Sequence, residues 1–539
     1  MSDSEVEATE LALDSINVAI LPTDKDCREK KYSVLHTNNS EPYVESARRQ
    51  GDSADSRRGA RRDHDKIYYT SAWRRLAGVT QVISPDGEES PLHTRLTHSE
   101  KVALTAWSIG SNLINTQNEE IKHRIANHGG LDLDMVATAA LAHDLGHPPF
   151  GHVGETELDS WGATHGLEDG FEGNAQTFRI LTRLARWHPH YPGLKLRLGT
   201  LSAVLKYPWT RGSNLDIAPL PSPDKIDLFI EEIGRRREES KKDAKLYRYW
   251  TKYGAYSSEA QLLKLARSWM PQAFRDGNLQ HTQSCEASVM DCADDIAYVV
   301  HDFEDFATSG LMDIKQLTQE YTTWDKKHTS PNPDSLGNTW YDTTRERLAA
   351  KNPEYFKKKD YDNAVEWLQE QLRVIEEKST AASRPTLEYQ EAKRTSNFLS
   401  GLVTSDCFQV LESPATDWPD GPLVKMKSMT WHQVNLLKAV TMDFVVATPT
   451  VAAHQRSARR IIRELATELY DWASTEADCL PYELGAALTA LKEEGRSRTE
   501  SEIARCVIDY LCSLSDHAVQ SLTMRLHGPS TGALVRKLL

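Results

Sequence analysis

The stretch Leu141-Ala142-His143-Asp144-Leu145-Gly146-His147-Pro148-Pro149-Phe150-Gly151-His152 is the most informative in this chain. It sets three histidines and an aspartate at the end of an apolar run and follows them at once with a Gly/Pro loop. Neighbouring residues on a helix point about 100° apart. An adjacent His-Asp pair therefore holds one ion only if the ion sits between the two directions. An imidazole nitrogen beside a carboxylate oxygen makes a mixed site suited to Mn, Fe, Co, Ni or Zn, and Mg also accepts it. Taken alone, the pair reads rather as a capped helix end with surface histidines. The rest of the chain decides between the two.

Working outward, the window Leu96 to Leu113 carries His98, Val102, Ala106, Ile109 and Leu113 at steps of three and four. That spacing is one helical face, and it puts His98 on the apolar side. Asp134 to Leu145 repeats the pattern with Val136, Ala139, Ala140 and His143. Cys285 to Phe306 predicts a further amphipathic helix, on which Asp294, Tyr298 and Asp302 share a face at intervals of four. Polar groups beside Ile296, Val299 and Val300 are costly without partners. Together these pieces form a His…His-Asp…Asp set: His98, His143, Asp144 and Asp294. Two neutral imidazoles and two carboxylates hold one divalent cation and leave positions open for water and substrate. The following loop adds His147, His152 and Glu155. His152 and Glu155 are close enough in sequence for one to orient the other, and a carboxylate-braced imidazole works as acid or base.

The surrounding chain predicts an all-α protein: a helical core, a helical C-terminal elaboration and a few short β pieces. Residues 1–56 are rich in Ser, Asp, Glu and Asn and read as a flexible or extended arm. The core is expected over 57–310, with an insertion at about 212–280. Within that insertion, 212–224 reads as a Pro-bearing surface loop and Glu231 to Lys245 as a solvated charged helix. Residues 311–539 are expected to complete the core and to supply oligomer contacts. With 539 residues, 26% charged and 39% hydrophobic, the chain has an ordinary globular composition. Its net charge of −14 argues against a general nucleic-acid coat but leaves room for a local basic pocket. No apolar run is long enough for a transmembrane helix, so no membrane partner is expected. The acidic start lacks the pattern of a signal peptide. Seven scattered cysteines without a CxxC pair fit free thiols, and with them a cytoplasmic setting. Neither GxxxxGK[ST] nor HExxH occurs, which argues against a P-loop NTPase and a zinc protease.

These residues resemble a known family: the deoxyguanosine triphosphate triphosphohydrolases of the HD-domain superfamily. Arg62-Asp63-His64-Asp65-Lys66-Ile67, then Ser71-Ala72-Trp73-Arg74-Arg75-Leu76 and Thr80-Gln81-Val82, are similar to its N-terminal signature. Arg95-Leu96-Thr97-His98-Ser99 resembles its first metal motif, and Ala142 to Glu155 its HD and loop motif. Phe171-Glu172-Gly173-Asn174-Ala175-Gln176 and Lys206-Tyr207-Pro208-Trp209 match further. Ala293-Asp294-Asp295-Ile296-Ala297-Tyr298 with His301-Asp302 resembles the last metal helix. Lys66, Trp73 and Val79 depart from the residues usual there.

The resemblance implies a mostly helical hydrolase that splits a deoxynucleoside triphosphate, dGTP foremost, into deoxynucleoside and inorganic triphosphate, in control of nucleotide pools. It implies one divalent ion per subunit on His98, His143, Asp144 and Asp294, with Mn and Mg named first and Fe, Co and Ni open. The choice of Asp294 over Asp295 follows from sugar-contacting Tyr298 and Asp302 at plus four and plus eight. His152, supported by Glu155, matches the catalytic acid position, and His147 is a third catalytic candidate. Gln81 matches a residue near the sugar, Arg95 one near the phosphates, and Lys206 a phosphate contact. Gln81 and Tyr298 are the candidates for a wall that leaves no room for a ribose 2′-hydroxyl. The resemblance further implies a homo-oligomer, with a hexamer as one form, and a deoxynucleotide or single-stranded DNA effector. The alternatives are another HD phosphohydrolase (a nucleotidase or phosphodiesterase) and a catalytically silent nucleotide-sensing protein.

Overall fold

In the computed structural model the described residues are 18–36, 42–45, 59–81, 94–189, 191–211, 226–240, 244–308, 312, 314–329, 337–380, 401–413, 421–447, 449–475, 479–493 and 498–527. They form an all-α fold with three two-stranded antiparallel ribbons: β1 (Ala19–Ile20) with β4 (Leu131–Asp132), β2 (Val34–His36) with β3 (Tyr43–Glu45), and β5 (Phe408–Val410) with β6 (Val424–Met426). The helices that position the site are α1 (Lys25–Lys31), α2 (Gly59–Tyr68), α3 (Arg95–Ile114), α4 (Leu133–Ala142), α5 (Gly151–Thr164), α6 (Gly173–Arg179), α7 (Leu198–Val204), α8 (Cys285–Thr308), α9 (Ser428–Thr441), α10 (Pro449–Thr475), α11 (Tyr482–Glu493), α12 (Glu500–Leu511) and α13 (Asp516–His527). No single described helix is long and apolar enough to cross a membrane.

α3 starts at a capping box: Thr94 Oγ1 accepts from Thr97 N–H while Thr97 Oγ1 accepts from Thr94 N–H. That start fixes the rotation of the helix. Its buried face runs through Arg95, His98, Val102, Ala106, Ile109 and Leu113, as the spacing predicts. α4 begins at Asp132, whose carboxylate accepts from Asp134 N–H and Met135 N–H. It is apolar on nearly every side and fills the centre of the main core, against α2, α3, α7 and α8. It ends at Ala142, earlier than the predicted Leu145, and His143 and Asp144 lie in the turn that follows. The apolar pattern runs on through Leu145 because that side chain too is buried. Gly146 closes the turn that follows. A Cβ on it would sit 2.2 Å from both Gly173 O and Thr177 N, so the start of α6 packs where a side chain would be.

A second core joins distant parts of the sequence. Phe150, Leu158, Trp161, Leu167 and Phe171 pack with Ile462, Leu465, Leu469, Leu488, Val507 and Ile508 from α10, α11 and α12. The loop with His147 is thereby backed by the C-terminal helices, as is the first turn of α5, where His152 and Glu155 lie rather than on the predicted loop. Asp516 ties it down further: its carboxylate accepts from Phe150 N–H at 2.9 Å, from Thr80 N–H at 3.1 Å and from Thr80 Oγ1–H at 2.8 Å.

The arm expected over residues 1–56 needs correction in part. Residues 18–36 lie folded on the core: β1 pairs with β4, and Lys31 on α1 is buried 2.5 Å from Glu286 Oε1 on α8. A short polar helix with one inward lysine carries no periodicity long enough to announce this. The predicted loop at 212–224 lies outside the described residues. The charged run after it is helical over Ile226–Ser240, with exposed Arg235 bridging Glu232 and Glu239. None of the seven cysteines forms a disulfide, and all but Cys479 are buried.

Candidate active site

Three chain segments converge at one buried point. α3 presents His98, the turn after α4 presents His143 and Asp144, and α8 presents Asp294. His98 Nε2 lies 3.2 Å from Asp294 Oδ1, and His143 Nε2 lies 3.4 Å from both Asp294 Oδ1 and Asp144 Oδ1. One ligand atom each from His98, His143 and Asp294 falls within 4.8 Å of the others, which is the span of a single ion's coordination shell.

The outer contacts aim these groups inward. His143 Nδ1–H donates to Ala140 O at 2.6 Å, which turns Nε2 to the centre. That buried Nε2 has no hydrogen-bond partner among the described residues. A nitrogen so oriented and so left fits a cation better than a void. Each carboxylate is braced on one oxygen and open on the other. Asp294 Oδ2 accepts from Lys206 Nζ at 3.0 Å while Oδ1 faces the imidazoles. Asp144 Oδ2 accepts from Arg95 Nη1 at 2.7 Å while Oδ1 faces His143 and His147. A set of two imidazoles and two carboxylates would suit a borderline divalent ion.

Electrostatics follow from this crowding. Burial opposes ionisation of Asp144, but Arg95, His147 and His143 outweigh it and hold its carboxyl well below the usual range. Asp294 is likewise held low, by Lys206 and His143 against burial. Burial also opposes a charge on His143, yet Asp144 and Asp294 push it up to about 9. His98 is lowered by burial, and His147 is lowered to about 4 by burial and Arg95. The site therefore keeps its carboxylates charged at neutral pH, and a divalent ion bound there would replace the proton that His143 holds between them.

Beside this centre stands a second group. His152 is 65% exposed at its side chain, and its Nδ1 lies 2.9 Å from Glu155 Oε2. Glu155 Oε1 accepts from Gly173 N–H at 2.9 Å. The His147 ring is 5.6 Å from that of His152, so His147 connects the pair to Asp144. The backbone here is strained, with Phe150 at φ 62° and Gly151 at φ 57° where the loop enters α5. Tyr298 sits edge-on to His98 at 6.4 Å, and Asp302 accompanies it one turn on. Lys206 reaches Asp291 at 2.6 Å as well as Asp294. Gln81 stands apart: no bond among the described residues joins it to the ligands, and its Oε1 is buried without a partner.

Sequence reading missed several neighbours. Arg75 donates to Leu145 O and His147 O at 2.9 and 2.7 Å and to Leu514 O at 3.1 Å, stitching the loop to the C-terminal region. Asp291 shares Lys206, and Lys252 faces Glu155 and Glu172. Only the first had any signal, as part of an Arg-Arg pair in a quoted motif.

Comparison with known proteins adds independent findings. Residues 95–189 match the HD domain family model, and residues 424–525 match a phosphohydrolase-associated domain. Those two segments are the ones joined by Asp516 and by the second core. The chain is similar to a protein of Corynebacterium efficiens named deoxyguanosinetriphosphate triphosphohydrolase-like, at 38% identity over 263 residues, 48% of this chain and 47% of the relative. A relative of that name from Corynebacterium glutamicum is 35% identical over 278 residues. The chain thus spans about half the length of these curated relatives. A Streptomyces coelicolor protein of the same name is 29% identical over 489 residues, 88% of this chain and 94% of the relative.

Proposed function

The chain belongs to the deoxyguanosinetriphosphate triphosphohydrolase-like family of HD-domain proteins, and from that premise we propose that it hydrolyses deoxynucleoside triphosphates, dGTP foremost, to deoxynucleoside and inorganic triphosphate. The observation that carries the reading is the buried meeting of His98, His143, Asp144 and Asp294 with a cation, Arg95 or Lys206, on the far oxygen of each carboxylate. These four residues would hold one divalent ion. When bound, such an ion lowers the pKa of water and offsets phosphoryl charge.

The chain's own groups supply the rest. A triphosphate brings about four negative charges, so Arg95 and Lys206 are the residues to bind and orient it. Release of intact triphosphate means that water oxygen joins the α-phosphorus while the bond to the 5′ oxygen breaks. The departing 5′ alkoxide is a poor leaving group and needs a proton. His152 is placed to donate it from Nε2, since Glu155 occupies Nδ1. His147, held low in pKa by burial and Arg95, would stay neutral and stand between Asp144 and the His152 ring. Tyr298 with Gln81 is the candidate wall at the sugar 2′ position, and Asp302 braces Tyr298.

Product analysis tests this. The purified protein is incubated with each of the four deoxynucleoside triphosphates and with GTP, with Mn or Mg, and the products are resolved by anion exchange. Deoxynucleoside plus intact triphosphate is the expected result, abolished by a chelator. Orthophosphate or a monophosphate instead would move the chain to another class of HD phosphohydrolase.

A further inference from the structure

We propose that Lys252 is a positioning residue for the His152–Glu155 pair: its ammonium lies between the carboxylates of Glu155 and Glu172 and keeps Glu155 aimed at His152. The inference rests on the role given above to His152.

The geometry is specific. Lys252 Nζ is 3.1 Å from Glu172 Oε1 and 3.7 Å from Glu155 Oε1. Both carboxylates are buried, Glu172 at 1% exposure, and they belong to different elements: Glu155 to α5, Glu172 to the cap of α6. Glu172 spends its oxygens on Asn174 N–H, Ala175 N–H and Asn174 Nδ2–H. Glu155 spends one oxygen on Gly173 N–H and the other on His152. Two adjacent buried carboxylates repel, and with no cation between them they separate or share a proton. Either outcome costs the His152 Nδ1–H bond its acceptor. The shifts agree in direction: against burial, Lys252 and His152 pull Glu155 well below the usual carboxylate range, while burial keeps Glu172 raised. Further titratable groups around Glu155 and Lys252 are His147, Tyr207 and Cys512.

The Lys252 backbone is anchored beside that pair, while its side chain is 36% exposed. Its carbonyl accepts from Trp209 Nε1–H at 2.7 Å, and Gly254 N–H donates to Trp209 O at 2.9 Å. A Cβ at Gly254 would meet Tyr207 O at 2.2 Å, so this segment lies directly on the one that carries Lys206. Two lysines from back-to-back segments thus flank the reaction centre, Lys206 on the ligand Asp294 and Lys252 on the proton-donor pair.

The test combines kinetics with a measurement that needs no turnover. Lys252→Met is expected to lower kcat for dGTP by about 10- to 100-fold with KM nearly unchanged, the scale of losing an outer-shell orienting contact. Lys252→Arg restores most of it. In a Glu155→Gln background, Lys252→Met is expected to cost less than about twofold more, because its effect passes through Glu155. Equal fold-losses in both backgrounds, or an unchanged kcat, would overturn the proposal. Thermal unfolding is followed for each variant, and Lys252→Gln replaces Lys252→Met if the latter fails to fold. Separately, the ¹⁵N shifts of His152 at high pH report its neutral tautomer: Nδ1–H in the wild type, reverting toward Nε2–H in Lys252→Met. An Nδ1–H tautomer that survives the substitution refutes the positioning role even if the wild type hydrolyses no deoxynucleotide. That last result, for its part, would sink only the reading of function.

Discussion

At the scale of single residues, the chemistry here is set less by which side chains are present than by which of their atoms are already engaged. His143 is informative because Ala140 O takes Nδ1 and leaves Nε2 facing two carboxylates. Removal of either member of the His-Asp pair is therefore expected to release the ion and abolish turnover. His143→Ala or Asp144→Ala, dialysed and assayed for bound metal and product together, checks this, and turnover by a metal-free preparation of either would refute the site. Part of this was legible from sequence. The step from His98 to Val102 to Ala106 is enough to put an imidazole on a buried face, and a buried imidazole needs a reason. Lys252 was not legible. It is one lysine in a charged stretch, its partners are 80 and 97 residues away, and no spacing rule links them. Asp291 escaped for the opposite reason, since it sits among acidic neighbours on α8 and only its contact with Lys206 sets it apart.

At the scale of elements, the loop between α4 and α5 is where sequence pattern and structure diverge. Apolar periodicity continues through Leu145, but the helix does not, because the start of α6 occupies the space at Gly146. The loop then enters α5 through Phe150 in the left-handed region, which costs roughly 1–3 kcal/mol and persists only where surroundings enforce it. Asp516 is the enforcing group. It accepts the Phe150 N–H from the far end of the chain and holds Thr80 with its other oxygen. Asp516→Ala would leave buried donors unpaired and destabilise the protein by on the order of 3 kcal/mol. It is also expected to lower kcat, because His147 lies on the freed loop and His152 in the first turn of α5, which that loop leads into. Chemical denaturation alongside steady-state kinetics measures both effects. Loss of stability with full kcat would mean that the loop keeps its shape without the C-terminal clamp.

At the scale of the whole molecule, the site is a meeting of segments that share no local signal, so its frame must come from long-range buried contacts. Lys31 and Glu286 make the clearest of these. The pair is 2.5 Å apart at 1% and 0% exposure, with Gly129 O taking a second Lys31 proton at 2.7 Å and the Trp269 ring lying 4.7 Å from Nζ. It fastens α1 to α8 two turns before Asp294, and through Asp132 N–H to the start of α4. A polar, low-periodicity N-terminus reads as an arm because the lysine that faces inward looks like any surface lysine until its partner, 255 residues on, is known. Attraction between two buried charges roughly cancels their desolvation, so the pair itself adds little net stability. Breaking it from one side is different, because the remaining charge stays buried without a partner. Lys31→Met is expected to cost about 3–5 kcal/mol. Lys31→Met combined with Glu286→Met, which removes both charges and keeps the volume, is expected to recover most of that loss. Equilibrium unfolding of the single and double variants decides it. If the double variant were as unstable as the single one, the pair would be acting through its hydrogen bonds to Gly129 and Asp132, and the frame of the helices that carry the candidate metal ligands would depend on that polar knot rather than on charge balance.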